Sequence, residues 1–202
     1  CSSDLRTVYE ISISKITMIS FKELECDDIA NISNKIYKFL ESSTDLLSTG
    51  AIGWQFLDHK KLFKEVPELL KFFAKYKLIP NSASVVILTE TGQLPLHVDE
   101  LPVVAKINLP VSNTKGWANR WYSVSEEELA SCEKITNQFG NQVELLSSIP
   151  ATSFKFLAEI LDLSKPIVFN SRIPHEVVRI DGAKPRIIAS FTFFNEPLDL
   201  LK

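Results

Sequence analysis

The stretch Leu94-Pro-Leu-His-Val-Asp99, followed within a few residues by Ala105-Lys-Ile-Asn-Leu-Pro-Val111, decides how this chain is read. Both segments are short, apolar and rich in branched residues, which predicts strands. In a strand, residues i and i+2 share a face, so His97 and Asp99 point the same way. An imidazole and a carboxylate on one face make a two-point clamp for a divalent cation. Taken alone, a His-x-Asp triplet also arises in solvated turns, so the reading depends on what the rest of the chain supplies.

His175 supplies the third ligand. It follows Pro174, whose ring fixes the backbone just ahead of it, and an apolar segment begins there. Two imidazoles and one carboxylate are the ligand set of a non-heme Fe(II) site that keeps an open face. His97 and His175 are far apart in sequence, so only the fold can bring them together. Arg186 opens the next apolar segment; its guanidinium stays charged and can grip a carboxylate through two parallel hydrogen bonds. Ser190 and Thr192 share its face at period two.

Outward from these segments, the second half of the chain is a series of short strands at 85–88, 94–98, 103–111, 167–170, 176–180 and 186–194, with a turn at Thr91-Gly92. Two helices are expected to interrupt it. One opens at the capping-box pattern Ser125-Glu-Glu-Glu128 and runs toward Phe139, and the other spans 153–161. The first half is mostly helical. Residues 7–21 alternate as a strand with a break near Ser14. Asp27 or Asp28 can cap a helix carrying Ile29, Ile32, Ile36, Phe39 and Leu40, and a second helical stretch over 60–77 restarts at Pro67 with Leu69, Leu70, Phe73 and Tyr76 as its stripe. These helices have no convergent polar groups, so they are expected to pack outside the strands and to give no metal ligand; Trp54, Gln55 and His59 are assigned to the same packing. The fold class expected is mainly β with flanking helices (α+β), a barrel or two-sheet roll in one domain over 1–202. Its strand-and-helix buttress is 1–80 and its barrel core 84–195.

Bulk composition excludes several classes. In 202 residues, 45% are hydrophobic, 23% are charged and the net charge is -3, with Lys and Arg scattered, so no basic stripe invites nucleic acid. The longest apolar runs, such as 103–105 and 187–189, are strand-sized and far too short to span a bilayer. Three cysteines, Cys1, Cys26 and Cys132, lack both metal spacing and even pairing, which predicts a reducing compartment, the cytoplasm.

The two opening segments, taken with Pro174-His-Glu-Val177, Pro185-Arg-Ile-Ile188 and Ser190-Phe-Thr-Phe193, resemble the metal-binding strands of the Fe(II)/2-oxoglutarate-dependent dioxygenases over about residues 84–195. The resemblance implies a double-stranded β-helix, a jelly-roll or cupin-like barrel, with His97, Asp99 and His175 as iron ligands. It implies Fe(II) and 2-oxoglutarate as cofactors and O2 as cosubstrate. Arg186 stands where that family pairs a basic residue with the distal carboxylate of 2-oxoglutarate; Ser190 would line the same pocket, and Asn108 or Lys106 would add auxiliary contacts. The implied reaction converts 2-oxoglutarate to succinate and CO2 while hydroxylating a C–H bond of an amino acid, a peptide or protein side chain, or a small molecule.

Within the family, Asn-Leu-Pro-Val and Pro-His-Glu-Val most resemble the aspartyl/asparaginyl β-hydroxylase branch. That branch commonly lacks the carboxylate ligand, whereas this chain has Asp99, so the fold is carried over and the aspartyl substrate is not. An Arg-x-Ser motif of other branches is absent, because Ile188 holds its third position. Trp117, Arg120 and Trp121 lie in a polar-aromatic segment, 113–122, and are candidate substrate contacts; an ordinary loop anchored by tryptophan is the other reading. Two rival functions are a cupin-type Zn or Mn enzyme, for which the expected His-x-His pair is missing, and a non-catalytic β-barrel sensor or interaction module. The partner expected is a substrate alone, with no nucleic acid and no membrane. The sequence specifies neither the substrate nor the oligomeric state.

Overall fold

The computed structural model describes residues 19–43, 53–89, 92–99, 103–136, 142–181 and 184–202. Twelve strands among them form two six-stranded sheets whose neighbours all pair antiparallel. The first sheet runs, in spatial order, β1 (Phe21–Glu23), β10 (Ile167–Asn170), β5 (Ala105–Ser112), β12 (Arg186–Phe193), β3 (Pro80–Leu88) and β2 (Gly53–Leu57). The second runs β7 (Glu133–Thr136), β8 (Gln142–Leu145), β4 (Leu94–Asp99), β11 (His175–Arg179), β6 (Trp117–Ser123) and β9 (Lys155–Leu161).

Among the described residues, three helices cover one face of the first sheet: α1 (Ile29–Ser43), α2 (His59–Glu65) and α3 (Glu68–Lys75). Asp28 starts α1, since its carboxylate accepts from Asn31 Nδ2 at 2.8 Å and its carbonyl from Ile32 N at 3.0 Å. The stripe Ile32, Ile36, Phe39 and Leu40 is buried as its spacing predicted. Asp58 caps α2 by accepting from Lys61 N at 3.0 Å, and the restart at Pro67 separates α2 from α3. An ion pair between Lys35 and Glu68 ties α1 to α3.

Period two divides β12 between two tasks. Ile187, Ala189, Phe191 and Phe193 enter the core under the helices, where the Phe73 ring lies 5.0 Å from that of Phe191, tilted, and 5.1 Å from that of Phe193, edge-on. Ile188 faces the other way, into a cluster with Phe169 and Ile167 of its own sheet and with Trp121 and Ile160 of the second. Leu88 likewise meets Trp117 and Val177 across the gap. The two sheets therefore face each other, and Arg186 and Ser190, in phase with Ile188, belong to the surface between them.

Several expectations are corrected. Residues 153–161 do not form a helix: a 3-10 turn at Ala151–Ser153 leads into strand β9, whose Ala158 and Ile160 lie opposite Trp121 and Asn119. Cross-strand pairing of an apolar face overrides local helix propensity there. The capping box at Ser125 and Glu128 is present, but helix α4 (Glu126–Ala130) lasts only five residues before the chain turns into β7. Trp54 and Gln55 belong to edge strand β2 rather than to the helical layer. The polar-aromatic segment proves to be strand β6, inside the second sheet, rather than a loop. Of the strand expected over 7–21, residues 7–18 lie outside the described residues and strand β1 begins at Phe21; Thr91 of the turn and Phe139 also lie outside them.

Candidate metal centre

Strands β4 and β11 are neighbours, and their register sets His175 directly opposite His97. The imidazole centroids are 4.4 Å apart. Asp99, two residues on and therefore on the same face, brings its Oδ1 to 3.8 Å from His97 Nε2. One donor atom from each of His97, Asp99 and His175 lies within 4.8 Å of the others. The chain thus gathers its three sequence candidates at one point.

Each imidazole is oriented by its own strand. His97 Nδ1 lies 2.7 Å from the carbonyl of Pro95, and His175 Nδ1 lies 2.9 Å from that of Ile173. A carbonyl only accepts, so both Nδ1 atoms carry the proton and both Nε2 atoms present a lone pair. Burial, with His97 beside it, pushes the pKa of His175 down to about 3, which keeps the ring neutral near pH 7.

Asp99 is held from several sides. Its second oxygen, Oδ2, pairs with Lys106 Nζ at 2.8 Å, its amide donates to Ser171 O at 3.0 Å, and its own carbonyl accepts from Arg172. Burial by itself raises the carboxyl, but Lys106 and the two imidazoles outweigh it and hold Asp99 well below the usual carboxylate range. Lys106, read as an auxiliary contact to a ligand, instead occupies one oxygen of Asp99 and leaves the other to face the imidazoles.

Two residues along β11 and β6 from the row of His175 and Trp121, about 7 Å at strand rise, come Val177 and Asn119. Arg186 reaches that layer from the opposite sheet: its Nη2 donates to Asn119 Oδ1 at 2.9 Å. The guanidinium is only 2% exposed, and its Nε has no acceptor. Burial lowers its pKa to about 9, so it remains charged at neutral pH. Asn119 Nδ2, Trp121 Nε1 and Asn108 Oδ1 are likewise buried without partners. Ser190 sits between Asn108 and Ser84 across its sheet, and Ser84 Oγ donates to its carbonyl at 3.4 Å. Thr192 bonds to Ser82, Oγ to Oγ1, at 2.7 Å.

The three candidate substrate contacts separate. Trp121 faces the space between the sheets, stacked 4.6 Å from Phe21. Trp117 is a core residue, packed on Leu88 and Val177 with its indole N–H bonded to Lys184 O at 2.9 Å, so it presents no free surface. Arg120 alternates to the opposite face of β6, where it pairs with Glu159 at 2.6 Å. Asn119 belongs to the polar-aromatic segment noted in the sequence without being singled out there, although its period-two relation to Trp121 was an available signal.

No protein-family model matches the chain, and no curated protein sequence does either. Solved structures do match, at identities that speak for the fold alone. The chain is similar to HygX from Streptomyces hygroscopicus, solved with nickel and 2-oxoglutarate bound: 11% identity, TM-score 0.53, covering 87% of this chain and 82% of that one. It is similar to SnoK, a non-heme alpha ketoglutarate dependent carbocyclase from nogalamycin biosynthesis: 10% identity, TM-score 0.56, covering 88% and 80%. It is also similar to SnoN, the alpha ketoglutarate dependent epimerase of the same biosynthesis: 10% identity, TM-score 0.51, covering 89% and 79%.

Proposed function

We propose that this chain is a non-heme Fe(II)- and 2-oxoglutarate-dependent oxygenase in which His97, Asp99 and His175 hold the metal and Arg186 grips the distal carboxylate of the cosubstrate. The two facing sheets are then its double-stranded β-helix. One observation carries the reading: a His/Asp/His cluster with both Nε2 lone pairs free lies one side-chain layer from a buried guanidinium that has no acidic partner among the described residues. The residues fit both groups. Imidazoles that present Nε2 lone pairs and an ionised carboxylate suit a borderline divalent ion, and a buried charge without a counter-ion calls for an anion. A layer spacing of about 7 Å is the reach of a short dicarboxylate extending from the metal to Arg186.

When bound, the metal and 2-oxoglutarate supply O2 activation coupled to decarboxylation of the 2-oxo acid to succinate and CO2. The chain's own residues do the rest. The carbonyls of Pro95 and Ile173 fix the tautomer of each imidazole. Lys106 takes one oxygen of Asp99 and leaves the other to the metal. Trp121, Phe169 and Ile188 wall the space between the sheets with apolar surface that excludes water. The outcome we propose is hydroxylation of a C–H bond in an amino acid, a peptide side chain or a small molecule. Cys26 is a free thiol, which supports a reducing, cytoplasmic setting. Among the described residues no helix is long and apolar enough to cross a membrane.

Anaerobic loading with Fe(II) and then 2-oxoglutarate should give the metal-to-ligand absorbance band, and admitting O2 should release succinate. His175→Ala should abolish both. Metal-loaded protein that takes up no 2-oxoglutarate would overturn the reading.

A further inference from the structure

We propose that Asn119 is a specificity-determining residue: its amide donates to the distal carboxylate beside Arg186, so that the two together select a dicarboxylate cosubstrate. The inference rests on the reading just given. A guanidinium has only donors, so the contact at 2.9 Å from Arg186 Nη2 obliges Asn119 to turn its oxygen toward Arg186. Once that oxygen is committed, Nδ2 points away with its two hydrogens. Asn119 is 5% exposed, and Nδ2 is buried with no partner. Its neighbours in the row, Val177 and Ile160, have no polar side-chain atom to offer. Arg186 Nε, on the group that Asn119 touches, is equally buried and unmet.

Two unmet donors on adjoining side chains, one of them charged, ask for one acceptor with more than one oxygen and a negative charge. A carboxylate meets that description. Its place is one strand layer from the row of His97 and His175, which a molecule held at the metal by its 2-oxo acid end reaches only if it carries a second acid group. A monoacid such as pyruvate would leave both donors desolvated and unpaired, and such a site rejects the analogue that lacks the partner.

The test is calorimetric titration of 2-oxoglutarate and of pyruvate into protein loaded with Zn(II), with no turnover involved. Wild type should bind 2-oxoglutarate far more tightly than pyruvate. Asn119→Ala should weaken 2-oxoglutarate roughly tenfold or more while leaving pyruvate within about threefold. Asn119→Asp, nearly the same shape, sets a carboxylate where the ligand's should be and should weaken 2-oxoglutarate further still. A merely structural asparagine would instead lower the affinity for both acids and for Zn(II) in step, and that result overturns the proposal, as does unchanged 2-oxoglutarate affinity in both variants. Wild-type protein that binds neither acid fails at the earlier step and overturns the oxygenase reading along with this one.

Discussion

Replacing Lys106 with Met should destabilise the metal-free protein and tighten its hold on a divalent metal. Lys106 Nζ lies 2.8 Å from Asp99 Oδ2, and the two side chains are only 19% and 15% exposed. Coulomb attraction over that distance is about 6 kcal/mol at an effective dielectric of about 20, of which desolvation of the two ions cancels the larger part. Met leaves a largely buried carboxylate without its cation, at a cost of about 3 kcal/mol. For a chain of this size that corresponds to a fall in Tm of roughly 6–12 °C. A divalent ion supplies the missing counter-charge, so most of the loss should return at saturating metal, and the variant should bind Zn(II) more tightly than wild type. Thermal unfolding with and without Zn(II), alongside a metal titration, measures both effects. The same loss in Tm under both conditions, or metal affinity no higher than wild type, would refute this account of Lys106.

Protonation of His175 is linked to unfolding. Its pKa is about 3 in the native protein against an ordinary 6.5, so the unfolded chain binds the extra proton between those values. The stability that this ring contributes is complete above about pH 6.5 and is lost as pH falls toward 3; His175→Gln should flatten that part of a stability-against-pH curve, and parallel curves would contradict the shift. In the helical layer, Phe73 packs on Phe191 and Phe193, so Phe73→Ala should cost about 3–5 kcal/mol in chemical denaturation. A loss below about 1 kcal/mol would show that this aromatic cluster is not the core it looks to be.

Most of the centre could be read in advance because its parts obey local rules. His97 and Asp99 declare their shared face by period two, and Pro174 marks the start of the strand that delivers His175. The buried stripe of α1 was equally plain at helical spacing. What failed were segments whose fate is settled by partners distant in sequence. Lys155–Leu161 has the composition of a helix and becomes a strand because β6 offers it an edge and Trp121 a surface. Arg120 and Asn119 are adjacent, so period two puts them on opposite faces, and the register of β6 against β9 and β11 then sets which one meets Glu159 and which one meets Arg186. The contact of Lys106 with Asp99 crosses between the sheets, so spacing along the chain could not reveal it.

Both imidazoles lean on main-chain carbonyls two residues upstream, those of Pro95 and Ile173. A carbonyl is part of every residue, so neither contact can be deleted by changing a side chain. Drift at positions 95 and 173 can shift the strands slightly but leaves each tautomer, and with it the electron donation of each Nε2, in place. Asp99 is the opposite case, because its partner is the side chain of Lys106, which one codon change can remove, lengthen or neutralise. Two corners of the ligand triangle are thus shielded from mutation and the third is adjustable. For the proposed metal centre, variants that retune metal preference should gather around the carboxylate.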